Sequence, residues 1–215
     1  TLTKSGSVSV GAILASGFGL PTVTYSAITE AVIPSWSQDF AIGGGCYVTH
    51  LRPTPGNIAE LRQAALPRLF VHVRDPRQAF LSWLHYAEAT PGIRDEFGAG
   101  QFAERFEKQM DYYVDSVDWI KGWASAATDL NIQFSTFEEF VADQDGFIDR
   151  MVKAYGGDVA YFNRAAATTR NAGVDYHIRL GKTDEWLQAF SPEQIDQLNA
   201  VLSPELIERF GWPLN

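Results

Sequence analysis

Lys4-Ser5-Gly6-Ser7 sets a cation, two small hydroxyls and a glycine in four consecutive positions. Where such a run joins a strand to a helix, unsatisfied backbone N–H groups and the positive helix end form an anion site. Gly6 would let the backbone approach the ligand, and Lys4 would add a full charge. The order differs from a Walker loop, which needs Gly-Lys-Ser/Thr after an earlier glycine, and a plain strand–turn–helix connection would use the same letters. Arg74 closes the apolar run Leu69-Phe70-Val71-His72-Val73, and Ser82 follows eight residues later. A guanidinium on that edge can grip a phosphate bidentately while the hydroxyl adds a hydrogen bond. A surface arginine with a buried helix serine is the plain alternative. His50 also ends an apolar run, and an imidazole with a pKa near 6.5 suits proton abstraction at neutral pH; a hydrogen-bonded structural ring is the alternative. His72 sits inside a strand pattern and reads as a core residue, while His85 and His177 hold no strand-end position.

These residues need a scaffold of alternating strands and helices. Thr1–Thr3 reads as the end of a first strand, too short for an interior one, so further residues are expected upstream. Val8, Val10, Ile13 and Leu14 fit a buried helix ending near Gly17 or Gly19. Pro21–Tyr25 and Cys46–His50 read as strands, with 28–40 irregular between them. A short helix is expected from Ile58 to Ala65. Leu69–Arg74 is the clearest buried parallel strand, and Asp75-Pro76-Arg77-Gln78 then supplies an N-cap, a proline at the first helical position and a capping-box glutamine. Phe102, Phe106, Met110, Tyr113, Val117, Ile120, Ala124 and Ala127 form one face of a long helix. Asn131–Ser135 is a strand, Asp145–Tyr155 a helix, and Ser191 and Ser203 cap two more. The segment from Ala165 to Glu185 is long and polar without a clear period. The fold class is therefore α/β: a central parallel sheet with helices on both faces, three layers in all, and residues 1–215 forming one domain.

Of 215 residues, 46% are hydrophobic and the net charge is −9. That composition excludes global disorder and argues against wrapping of duplex nucleic acid. The lone Cys46 can form no intrachain disulfide and lies in no metal-ligand spacing, so a reducing, cytoplasmic setting is expected, with no metal. No run of about 18 apolar residues and no basic-then-apolar leader occurs, so no membrane partner is expected.

Together the motifs resemble the sulfotransferase family, whose donor is 3′-phosphoadenosine 5′-phosphosulfate (PAPS). Thr3-Lys4-Ser5-Gly6-Ser7 is similar to its Pro-Lys-Ser-Gly-Thr loop for the 5′-phosphosulfate. Thr49-His50-Leu51 is similar to its Lys-Thr-His-Leu-Pro element, and Arg74-Asp75-Pro76 with Ser82 to its Arg-Asn/Asp-Pro…Ser element for the 3′-phosphate. Phe134–Phe140 resembles the strand leading to Tyr-Glu-Asp-Leu, and Arg179-Leu180-Gly181-Lys182-Thr183-Asp184-Glu185-Trp186 resembles Arg-Lys-Gly-X-X-Gly-Asp-Trp. A Phe-Ser-Pro-Glu-Gln segment follows at Phe190–Gln194.

The resemblance implies a P-loop-like sulfotransferase fold and sulfonate transfer from PAPS to a hydroxyl or amine of a small-molecule acceptor, leaving adenosine 3′,5′-bisphosphate (PAP). It implies His50 as general base, with Glu30 in reserve, and Lys4 stabilising the departing phosphate oxygen. Lys4, Ser5, Gly6, Ser7, Val8, Arg74, Ser82, Phe137, Arg179, Leu180 and Gly181 would hold the nucleotide. Val48 stands where many members have a lysine, Ser9 where a tryptophan stacks on adenine, Phe137 where a tyrosine stands, and Asp184 in place of the second glycine. These departures suggest a bacterial or secondary-metabolic branch. Trp83, Tyr86, Phe97 and residues 25–40 are candidates for an acceptor cleft. Two other readings use the same loop: a small ATP-dependent kinase, and a nucleotide binder without turnover.

Overall fold

The computed structural model describes residues 1–24, 38, 42–43, 45–64, 66, 69–167 and 181–213. Helix α1 spans Ser7–Phe18, followed by strands β1 (Thr22–Thr24) and β2 (Cys46–Val48) and helix α2 (Pro55–Gln63). Strand β3 (Leu69–Val73) leads into α3 (Pro76–Ala89), and α4 (Phe102–Lys108) and α5 (Met110–Ser125) precede β4 (Ile132–Thr136). Helices α6 (Phe137–Ala142), α7 (Gln144–Ala154), α8 (Pro192–Val201) and α9 (Pro204–Phe210) complete the longer elements.

Both strand pairings among the described residues are parallel, as helical crossovers require. β1 pairs β2 from Thr22 opposite Cys46, and β3 pairs β4 from Leu69 opposite Ile132. The sheet is thus seen as two pairs. Thr1–Thr3 forms no ladder strand of its own; instead the Thr1 nitrogen donates to the Thr49 carbonyl (2.6 Å) and the Leu2 N–H to the His72 carbonyl (2.9 Å). Those two residues bridge the pairs and deliver the Lys4 turn to the carboxyl edge of the strands.

Side chains of β3 alternate between two apolar clusters. Leu69, Val71 and Val73 join a large cluster built from α3, α5 and the carboxyl-terminal helices, whereas Phe70 packs with α1 and α7. His72 points the same way as Phe70, its ring 5.8 Å from Phe147. A sheet covered on both faces gives the three expected layers.

His72 is the satisfied core residue expected. Its Nε2 donates to the Ser5 carbonyl and its Nδ1 meets the Ser135 hydroxyl, both at 2.9 Å. Burial lowers its pKa to about 4, so the ring is neutral.

Several boundaries move for tertiary reasons. The long helix expected over 102–127 breaks at Gln109, whose side chain accepts the Trp83 indole N–H at 3.2 Å. The buried stripe of Phe106, Tyr113, Val117 and Ile120 survives the break. Asp75 caps α3 by accepting the Arg77 N–H, but Gln78 closes no capping box; its Oε1 accepts the Trp186 backbone N–H. α2 begins earlier than expected, at Pro55, because Thr54 caps it, and α7 begins at Gln144 because Asp143 does. Ser191 forms the capping box with Gln194, whereas Ser203 caps no backbone N–H.

Candidate active site

The turn ahead of α1 holds two left-handed residues, Lys4 (φ 60°) and Gly6 (φ 78°). Glycine takes that conformation freely; lysine does not. Ser5 is fully buried and its hydroxyl donates to the Leu2 carbonyl at 2.7 Å, so what it offers a ligand is backbone rather than hydroxyl. Ser7 opens α1 and Val8 sits half-buried on its first turn. A Cβ at Gly6 would lie 2.7 Å from the Phe137 ring. Gly6→Ala, combining that clash with a left-handed backbone, is expected to cost about 1–3 kcal/mol of stability, read from urea unfolding.

Arg74 leaves β3 buried at 6% exposure. It donates from Nη1 to the Lys4 carbonyl (3.0 Å) and from Nη2 to the Lys182 carbonyl (2.5 Å), and its guanidinium lies 4.1 Å from the Phe137 ring centroid. The amino-terminal turn, the end of β3 and the 181–182 segment therefore meet at one place. Phe137 is buried at the first position of α6, with Gly6 at its edge and Arg74 over its ring. Ser82 is half-buried on α3, one turn from Gln78 and one from Tyr86, which places it on the side of the helix that meets both Trp186 and Lys4.

Gly181 adopts a left-handed φ of 66°. Arg179, Leu180 and Glu30 lie outside the described residues. Lys182, exposed and joined to Arg74 through its carbonyl, lies in the Arg179–Trp186 motif but is given no binding role by the sequence reading. The available signal was a lysine one position after Gly181, with Leu180 filling the family's cation position. Val48 is buried with its side chain against Gly11 of α1, so no charge reaches the cleft from that position. Asp184 is exposed and Ser9 half-buried.

His50 stands two residues beyond β2. Its Nδ1 lies 2.8 Å from the Thr1 carbonyl, which can only accept, so Nδ1 carries the hydrogen and Nε2 is the basic nitrogen. Burial lowers its pKa to about 4 against the opposing effect of the Thr1 hydrogen bond, with the Lys4 charge acting in the same direction as burial. The ring is therefore neutral near pH 7 but a weaker base than the expected value of 6.5 implies. A pocket opens beside it, lined by Thr3, Tyr112, Asp115, Ser116 and Trp119, with an exposed Arg52–Asp115 ion pair (3.3 Å) on its lining. Of the acceptor-cleft candidates, Trp83 contacts both Tyr86 and Phe97, with ring centroids at 5.9 and 6.1 Å, and Lys4 Nζ sits 3.7 Å from the Tyr86 ring centroid. Nearly all of 25–40 lies outside the described residues. Among the described residues no group of three or more His, Cys, Asp or Glu side chains could hold a metal.

Parallel strands with a glycine turn and two cationic residues at their carboxyl edge define an α/β protein. No family model matches the chain. Sulfotransferase 2B1 of Mus musculus is 23% identical over 163 residues, covering 65% of this chain and 48% of the relative. Sulfotransferase 2B1 of Homo sapiens is 23% identical over 163 residues, covering 65% and 45%. The matches thus span about half the length of these curated relatives. Mouse sulfotransferase SULT7A1, solved in complex with PAP, superposes with a TM-score of 0.67 at 18% identity over 98% of this chain and 82% of that one. Retinol dehydratase, solved with androsterone and inactive cofactor PAP, gives a TM-score of 0.50 at 19% identity over 74% and 52%. The fold is that of the sulfotransferases.

Proposed function

We propose that this chain transfers a sulfonate group from PAPS to a hydroxyl or amine of a small-molecule acceptor. The observation that carries the reading is the Arg74 guanidinium hydrogen-bonded to the Lys4 carbonyl, which brings an arginine to the glycine turn that carries Lys4. The residues suit a doubly phosphorylated nucleotide: the Lys4–Ser7 turn and the start of α1 for one phosphate, Arg74, Ser82 and the Arg179–Lys182 segment for the other. In the transfer the sulfur–oxygen bond to the departing phosphate breaks as one to the acceptor oxygen or nitrogen forms, and Nε2 of His50 takes the acceptor's proton. Lys4 stabilises the negative charge growing on the leaving oxygen. Glu30 remains the second candidate base. PAP bound to both structural neighbours supports the donor, and androsterone bound to retinol dehydratase supports a small organic acceptor. A net charge of −9 suits such an acceptor better than a nucleic acid. We place the reaction in the cytoplasm.

Titration calorimetry with PAP and with ATP, each with and without EDTA, tests the donor. PAP is expected to bind irrespective of EDTA, and Arg74→Ala to weaken it about 100-fold or more. ATP binding that requires Mg²⁺ would favour the kinase reading. PAP binding without sulfonate transfer across an acceptor screen would favour the inert binder.

A further inference from the structure

Beyond their candidacy for the acceptor cleft, Trp83 and Tyr86 of α3 form with Tyr112 of α5 a group of rings that reaches the phosphate turn. The Lys4 ammonium rests on the Tyr86 ring, 3.7 Å from its centroid. Tyr86 leans on Trp83, whose ring stacks on Tyr112 at 4.5 Å and 12°. Trp83 is fixed in turn by its indole N–H bond to Gln109, and the Tyr112 hydroxyl pairs with the Thr3 hydroxyl. Two consecutive side chains of the phosphate turn, Thr3 and Lys4, thus end on one aromatic shelf.

We infer that Tyr86 is a positioning residue for sulfonate transfer: its ring face holds the Lys4 ammonium in the cleft before the donor arrives. The inference rests on the donor reading given above. A free lysine side chain loses much rotamer freedom when it is ordered, and Lys4 starts from a left-handed backbone that does not by itself direct its side chain. A ring attracts the ammonium through its quadrupole and leaves the formal charge in place, as a group meant to meet growing negative charge requires.

The test compares wild type with Tyr86→Phe and Tyr86→Leu. In protein labelled with ¹³C-lysine, which has five lysines, one ε-methylene signal should lie upfield through the ring current, and Lys4→Met should delete it. Lys4 is the one lysine over a ring among the described contacts. Tyr86→Phe is expected to keep the shift and Tyr86→Leu to abolish it. With PAPS and a turned-over acceptor, Tyr86→Leu should lower kcat about five- to tenfold with donor KM changed less than twofold, and Tyr86→Phe should restore kcat.

A wild-type spectrum without a shifted Lys4 signal overturns the proposal, as does Tyr86→Leu losing the shift while keeping kcat. Loss of kcat in both variants alike would assign the effect to the hydroxyl and also overturn it. The spectrum needs no nucleotide, so failure of PAP to bind wild-type protein sinks the donor reading separately.

Discussion

His50→Gln is expected to lower turnover about 10²–10⁴-fold, or roughly 3–5 kcal/mol of barrier, while PAP affinity in calorimetry stays within about threefold. The split follows from position. His50 lies beyond β2 and bonds the Thr1 carbonyl, whereas the residues proposed for the nucleotide centre on Arg74 and the Lys4 turn. His50→Asn, whose side-chain nitrogen stands where Nδ1 does, keeps the donation to that carbonyl and is expected to lose turnover alike, so the pair of variants isolates the basic nitrogen. Burial has already lowered the His50 pKa to about 4, so the unprotonated form prevails above that pH. As pH falls through about 4 the ring takes a proton and kcat/KM should fall with it; the acid limb therefore lies near 4, well below 6.5. Unimpaired turnover in His50→Gln would transfer the role of base to Glu30.

The largest stability loss is expected at Arg77, which the sequence reading passed over. Its side chain is 0% exposed and grips Asp75 from Nε (3.0 Å) and Nη2 (2.7 Å). The same guanidinium donates to Asn199 Oδ1 (2.8 Å) and the Pro213 carbonyl (2.9 Å) and lies 3.9 Å from the Trp186 ring centroid. Arg77→Ala strands the Asp75 carboxylate in the interior and should cost about 3–5 kcal/mol, measured by urea unfolding. The fork also fastens the end of the chain to the start of α3. A loss under about 1 kcal/mol would show that water relieves Asp75.

What the letters revealed was local in origin. Leu69–Val73 announces itself by an apolar run between prolines, and Asp75-Pro76 dictates the start of α3 whatever surrounds it. Lys4, Gly6 and Arg74 stand out in the sequence because their types suit a phosphate, and the meeting of Arg74 with the Lys4 turn follows from strand polarity. What stayed hidden depends on partners far along the chain. The break at Gln109 is tied to an indole on another helix, and the inward turn of the Ser5 hydroxyl to the Leu2 carbonyl. Gln78 looks like a capping residue until Trp186 takes its oxygen. The bridging of two strand pairs by Thr1 and Leu2 has no periodic signature, because two residues have no period.

The Arg74 staple has a kinetic side. Its two hydrogen bonds join residues 70 and 108 positions apart. Closing spans of that size is slow and entropically expensive, so during refolding the cleft should be among the last features to mature, after helices α3 and α5 have condensed. Any nucleotide that binds only once the Arg74 staple is made would act as a latch on the finished molecule, drawing late intermediates forward by mass action.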